Sequence, residues 1–537
     1  MTDATPLPPR RAGASVEGVD TAVSEAGLLM SGMTMSDLVA RFARTTPDRV
    51  ALRDGDLTLT WAQTHERVSR TASALTRAGV VPGDRVAVLA LNSVPHLEAM
   101  AAVLRVGAIC VPVNFRLVAA EVAYVLGDSG ASVVIADDAF TPLAQAAGAG
   151  TVVTIGAGYE DLLAAGSPEH VELAVDDRAP AFIMYTSGTT GRPKGAVLSH
   201  RDLYLHAFSN LVHAGVSGPG VGMSGAPLFH IAGTSSYYNN LVAGGATVLT
   251  PSGGFDPAGM VDLLERERVT SVFFVPAQWA AIVAQPGIAE RDLSALRRAI
   301  WGAAPASTTL LRTMIATFPQ AEVVTAFGQT ECSPVTCMLG GEDSIRKIGS
   351  IGKPILNVEV RVVDEDMRDV APGEVGEIVY RGPTVMSGYW NKPEETAEAF
   401  RGGWFHSGDL VRADDEGYLY VVDRKKDMII SGGENIYCAE VENTLAAHPK
   451  VAEVAIIGVA DEHYGEAPLA VIAPRDPADP PTAAEIDAFS REHLAAYKRP
   501  RDVVIVEALP RNPSGKVLKT ALRTEYGATA VVSAPAV

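Results

Sequence analysis

Short apolar runs separated by amphipathic stretches constrain this chain's fold more than any other feature. Arg85 to Leu91, Ala108 to Val113, Ala131 to Ala136 and Ala181 to Tyr185 read as buried strands. Val272 to Val275, Ala299 to Trp301 and Glu322 to Ala326 continue the series, with helical spacing between them, as at Ala62 to Ala78 and Pro257 to Arg268. Repeated strand–helix alternation calls for mostly parallel sheets with helices on both faces, because each parallel crossover passes over a face. After Asp364 the texture changes. Glu377 to Tyr380 and Tyr418 to Val422 read as strands of a smaller antiparallel unit, followed by a helix (Ala439 to Ala447), a strand (Val451 to Val459) and a helix (Ala483 to Leu494). The expectation is an α/β protein. A large N-terminal part of mixed and parallel sheets flanked by helices spans 31–423, and a small mobile α+β C-terminal domain spans 424–537. Residues 1–30, rich in Ala, Gly and Pro without hydrophobic period, read as a disordered leader.

Composition excludes several classes. With 47% apolar and 20% charged residues in 537, the chain can bury large cores without staples. Its four cysteines are too few for a disulfide framework and are expected to be free thiols in a reducing cytoplasm. The best candidate for a membrane span, Met100 to Val113, is short and interrupted by Arg105. The 44 Lys+Arg against 63 Asp+Glu leave a net charge of −19, which argues against a nucleic-acid partner. Net charge does not exclude small anions, since a local pocket can be positive. The reading leaves transient contact with a membrane surface and self-association into a homo-oligomer open.

The chemistry concentrates in Tyr185-Thr-Ser-Gly-Thr-Thr-Gly-Arg-Pro-Lys-Gly195, which follows one strand and precedes another apolar run. Its glycines and hydroxyl residues, among them Thr186, Ser187, Gly188, Thr189 and Thr190, make a loop of exposed N–H groups suited to phosphate oxygens, and Lys194 adds a mobile positive charge. It is not a Walker A loop, because Pro193 precedes the lysine and Gly195 follows it. Nor is it a dinucleotide fingerprint, which needs G-x-G-x-x-G opening a helix. Asp423-Arg-Lys-Lys-Asp427 reads, on charge alone, as a solvated turn.

Tyr185 to Gly195 resembles the signature loop of the adenylate-forming superfamily: acyl-CoA synthetases, luciferases and peptide-synthetase adenylation domains. Four more segments resemble that family in order: Ala326-Phe-Gly-Gln-Thr-Glu331, Gly403-Trp-Phe-His-Ser-Gly-Asp409, Asp423 to Tyr437, and Pro510 to Lys519. The resemblance implies ATP, Mg²⁺ and coenzyme A as cofactors and cosubstrates. It implies that Thr186 and Glu331 hold the metal, and that Gly302, Ala303, Ala304, Ala326, Phe327, Gly328, Gln329 and Thr330 line the nucleotide site. Asp409 would accept from the ribose hydroxyls with Arg424 in support. Lys426 would be a hinge, which replaces the solvated-turn reading, and Gly432 and Gly433 would admit the pantetheine arm. Lys516 would stabilise charge during adenylation. Pro227-Leu-Phe-His-Ile-Ala-Gly233 resembles the acyl-contacting segment, in which His230 gates the pocket or helps deprotonate the thiol.

Ala232 and Gly233 leave room in that pocket, and Trp279, Val275, Ala303 and Val335 are expected walls, with no obvious cation among them. The implied activity is ATP-dependent ligation of a carboxylic acid to CoA through acyl-AMP, on medium- to long-chain fatty acids or another bulky apolar acid. The alternatives are an acyl-AMP ligase serving a carrier protein, and an aryl- or sterol-acid CoA ligase.

Overall fold

The computed structural model describes residues 34–527 except 170–172, 174, 187–191, 217, 253, 305, 426, 432–433, 462–463 and 512–516. The expected leader therefore lies outside the described residues. Every strand and helix singled out from the sequence has a counterpart within a few residues.

A nine-stranded sheet runs from Lys353–Pro354 through Val335–Leu339, Glu322–Gly328, Arg298–Gly302, Ser271–Phe274, Val221–Ser224, Ala246–Val248 and Val50–Asp54 to Leu57–Thr60. Its interior is parallel and its edges antiparallel. A seven-stranded sheet is parallel from Thr151–Thr154 to Pro180–Thr186 and closes with antiparallel Lys194–Ser199 and Gly388–Tyr389. A four-stranded antiparallel sheet spans Glu359 to Arg424, and a five-stranded sheet begins at Ile429. Large mixed sheets followed by a small α+β unit is the architecture the alternation implied.

The best candidate for a membrane span resolves differently. Val94–Arg105 is a helix with almost every side chain buried, wedged between strands of the two large sheets. A helix apolar all round belongs in such a place. Arg105 is tolerated because Nε donates to Ser36 Oγ at 2.7 Å and a terminal nitrogen donates to Ser69. Among the described residues, no helix is long and apolar enough to cross a membrane.

Three buried histidines make the fold acid-sensitive. His96 and His200 are pushed down to about 4, and His206 to about 3, all chiefly by burial. His206 is kept neutral usefully, since its Nε2 accepts from Val335 N at 2.9 Å. Unfolding frees these rings to titrate near 6.5, so between that value and about 4 the unfolded chain binds more protons. Their contribution is complete above pH 6.5 and is lost as pH falls towards 4, each ring giving a slope of about 1.4 kcal/mol per pH unit near pH 5, partly offset by the carboxyls of Glu98, Asp202 and Glu442, which burial raises. Denaturant midpoints should fall accordingly between about pH 7 and 5; a flat profile would contradict the buried-neutral assignment.

Candidate active site

The glycine-rich loop hangs from a hairpin whose two stems are tied down separately. Thr186 pairs with Lys194 across the strands, and its hydroxyl donates to Lys194 O at 3.5 Å. One face of helix Ala119–Ser129 holds both stems, through residues four apart. Tyr124 donates to Pro193 O at 3.0 Å, and Asp128 accepts from Tyr185 at 2.7 Å and from Lys392 at 2.8 Å. Burial and the Asp128 carboxylate raise the Tyr185 phenol, so it stays a donor. Past the second stem, Ser199 and Asp202 form a capping box that starts helix His200–His213. The phosphate-loop residues Ser187, Gly188, Thr189 and Thr190 lie outside the described residues.

A second wall comes from the parallel strands Arg298–Gly302 and Glu322–Gly328, where Gly302 faces Ala326. A Cβ on Gly302 would sit 2.2 Å from Ala326 O, so only glycine lets the strands end this close. Ala303, directly after, holds φ at +66°, a left-handed value uncommon for alanine, and Ala304 follows it in the same bend. Phe327, Gly328, Gln329 and Thr330 carry the neighbouring strand into the turn that bears Glu331.

Glu331 is buried, yet among the described residues no Lys, Arg or His pairs with it. Its Oε1 accepts from the Tyr389 hydroxyl at 3.0 Å, and its Oε2 is 3.5 Å from Gln329 Nε2. A buried carboxylate with no cationic partner among the described residues and only a long bond on Oε2 suits a hard divalent cation. The described residues contain no group of three or more His, Cys, Asp or Glu that could cage an ion.

The ribose segment lies on strand Phe405–Ala413. Asp409 is 2% exposed and accepts from Arg424 Nε at 2.8 Å, the two being opposite each other in adjacent strands. Glu377 fixes the residues before it, taking Gly408 N at 3.0 Å and His406 Nδ1 at 3.1 Å. Burial first, then the Glu331 and Asp409 carboxylates, raise the buried Cys332 thiol, so the metal and ribose candidates both lie within electrostatic reach of one cysteine.

Lys426, Gly432, Gly433 and Lys516 lie outside the described residues. Asp427, next to Lys426, accepts from Arg523 at 2.9 Å. Lys519, three residues past Lys516, pairs with the largely buried Glu442 at 2.7 Å. Helix Lys519–Tyr526 thus ties the end of the Lys516 loop to the segment after the hinge candidate.

His230 caps helix Ile231–Ala243, with Nδ1 accepting from Ala232 N at 3.2 Å. That bond leaves the ring proton on Nε2, and burial pushes the imidazole down to about 4. His230 and Ala303 line a cavity of about 270 Å³ with Ala232, Phe255, Met260 and Val275.

Two expected walls are elsewhere. Trp279 is fully buried in the core, its Nε1 donating to Ile300 O at 2.9 Å, and Val335 faces the His206 network. Gly233 serves packing rather than acyl room, since a Cβ there would meet Pro227 O at 2.3 Å. The sequence reading also missed a cation, because Arg116 lines this cavity, its guanidinium 4.7 Å from the Phe115 ring. Phe115 in turn packs edge-on against Phe229, beside His230. No periodicity links residues 116 and 230; only the fold does.

Residues 39–390 match the AMP-binding enzyme family, and 440–516 match the AMP-binding enzyme C-terminal domain. The chain belongs to this adenylate-forming family, among its acid–CoA ligases. A feruloyl-CoA synthase from Amycolatopsis is 42% identical over 91% of this chain and 98% of its own. The long-chain-fatty-acid–CoA ligase FadD13 of Mycobacterium tuberculosis is 40% identical over 88% and 94%. Among solved structures, O-succinylbenzoate coenzyme A synthetase of Bacillus subtilis, in complex with ATP and magnesium ion, superposes with a TM-score of 0.82. It shares 33% identity, over 90% of this chain and 99% of that one. This AMP-binding enzyme therefore matches both aryl-acid and fatty-acid ligases over most of its length.

Proposed function

We propose that this ligase activates a bulky, mainly apolar carboxylic acid bearing an aromatic ring, and that the cavity beside His230 takes the ring. The observation that carries this reading is the cavity itself: about 270 Å³, walled by Phe255, Phe273, Met260 and Val275. Aromatic and apolar walls interrupted by Asn92, Arg116, Ser252 and Gln278 suit a compact ring that carries polar substituents. The 42% identity to a feruloyl-CoA synthase supports the same class. A medium- to long-chain fatty acid is the second reading, favoured by the apolar lining and the likeness to FadD13.

In the first half-reaction a carboxylate oxygen attacks the α-phosphorus of ATP and pyrophosphate leaves. Asp409, supported by Arg424, holds the ribose hydroxyls; Gly302, Ala303 and Ala326 flank the adenine; Lys194 meets the phosphates. Bound Mg²⁺, held by Thr186 and Glu331, would neutralise charge on the phosphate oxygens. Lys516 places its ammonium where charge builds between carboxylate and α-phosphate.

Rotation about Lys426 then exchanges the Lys516 loop for Gly432-Gly433 at the site. The CoA thiol attacks the acyl carbonyl, AMP leaves, and the thiol proton passes to solvent. Because His230 carries its proton on Nε2, the ring donates towards the acyl carbonyl oxygen rather than taking the thiol proton.

The test is AMP release across benzoic, cinnamic, ferulic and C6 to C16 straight-chain acids. The arylpropenoic acids should show the highest kcat/KM, by about tenfold or more over any fatty acid. A kcat/KM that climbs steadily with chain length to C16 would select the second reading.

A further inference from the structure

The metal candidate and the phosphate lysine meet at a ring to which no role has been assigned. The Tyr389 hydroxyl donates to Glu331 Oε1 at 3.0 Å, and the Lys194 ammonium lies 4.9 Å from the centroid of the same ring. The ring's backbone is fixed on each side. Gly388–Tyr389 pairs with Ala196 and Val197, Trp390 N donates to Gly195 O at 2.8 Å, and Met386 N donates to Glu331 O at 2.7 Å. Tyr389 N also donates to Thr396 Oγ1 at 2.9 Å.

A lysine and a carboxylate near one another in a partly buried site attract strongly, and a direct pair would neutralise both. Such a pair would take the carboxylate from a cation and the ammonium from phosphate. Among the described residues, Lys194 and Glu331 form no ion pair. The ring stands between them, giving the carboxylate a neutral hydrogen bond and the ammonium a π face.

We propose that Tyr389 is a positioning residue of the metal–phosphate site. Its hydroxyl fixes Glu331 Oε1 and leaves Oε2, which holds only the 3.5 Å bond from Gln329, to the cation, and its ring keeps Lys194 from pairing with Glu331. This rests on the reading of Glu331 as a magnesium ligand.

Tyr389→Phe removes the hydroxyl and keeps the ring, whereas Tyr389→Leu removes both. The probe is Mn²⁺ binding, followed by EPR in the presence of α,β-methylene-ATP, beside the Mg²⁺ concentration giving half-maximal adenylation. Loss of one hydrogen bond to a charged group should weaken Mn²⁺ binding by about tenfold in Tyr389→Phe and raise the Mg²⁺ requirement similarly. At saturating metal the KM for ATP should stay within about twofold, because the cation–π contact survives. Tyr389→Leu should in addition raise that KM by about fivefold.

Wild-type Mn²⁺ affinity in Tyr389→Phe, or equal losses in metal and ATP affinity, would overturn the proposal. Glu331→Gln separates the two levels. If it weakens Mn²⁺ binding while Tyr389→Phe does not, the magnesium reading stands and the positioning role falls. If Glu331→Gln binds Mn²⁺ as the wild type does, the magnesium reading itself falls, and the role of Tyr389 with it.

Discussion

Replacing Lys516 with alanine is expected to slow acyl-AMP formation by about a thousandfold, the scale for losing one charged stabiliser of a developing anion. Joining a carboxylate to a triphosphate forces two anions together, and the proposed phosphate and metal contacts Thr186, Lys194 and Glu331 all sit on the large sheets or the turn that follows them. The small domain brings a further cation in the proposed Lys516, which lies just before Lys519, itself paired with Glu442. The transfer of acyl from supplied acyl-AMP to CoA should stay within about threefold of wild type, because the proposed rotation about Lys426 has by then exchanged the Lys516 loop for Gly432-Gly433. The measurement is pyrophosphate release for the first step and acyl-CoA formation from added acyl-AMP for the second. Gly433→Trp should reverse the pattern, since a large side chain would block the pantetheine approach that glycine permits. If both variants lost only adenylation, alternation about Lys426 would be refuted.

What the sequence made legible follows from what each kind of signal encodes. A buried parallel strand announces itself by an unbroken apolar run, which is why the runs from Arg85 to Leu91 and from Ala131 to Ala136 lie within two residues of the strands Arg85–Leu89 and Val133–Ala136. The same signal says nothing about neighbours. Trp279 and Val275 are both apolar and four residues apart, yet one fills the core while the other lines the cavity.

Motif order singles out Thr186, Glu331 and Asp409 as site candidates, because their proposed chemistry is carried by residue type and spacing. The groups that hold them are scattered. Asp128 fixes Tyr185 from 57 residues away, and Tyr389 reaches Glu331 across 58. Arg116 escaped because a lone arginine after an apolar strand looks like any surface cation until the fold carries it to the cavity.

Asp409→Ala should lower kcat/KM for ATP by about 10² to 10⁴, because two ribose hydroxyls each lose a charged acceptor worth roughly 1.5–3 kcal/mol. The geometry favours an effect on binding over one on the fold. Asp409 is buried, but its partner Arg424 keeps about a third of its side chain exposed and can turn to water when the carboxylate goes. An arginine that re-solvates escapes most of the penalty of a charge left stranded in the interior. The decisive measurement uses the nucleotide rather than the protein as reference. Wild-type enzyme should discriminate against 2′,3′-dideoxy-ATP by nearly the whole factor that Asp409→Ala loses with ATP, whereas the variant should treat the two nucleotides alike to within about threefold. Equal losses for ATP and the dideoxy analogue would assign Asp409 to the integrity of strand Phe405–Ala413 instead. Asp409→Asn should fall between, since its amide keeps one acceptor oxygen without the charge that strengthens both bonds.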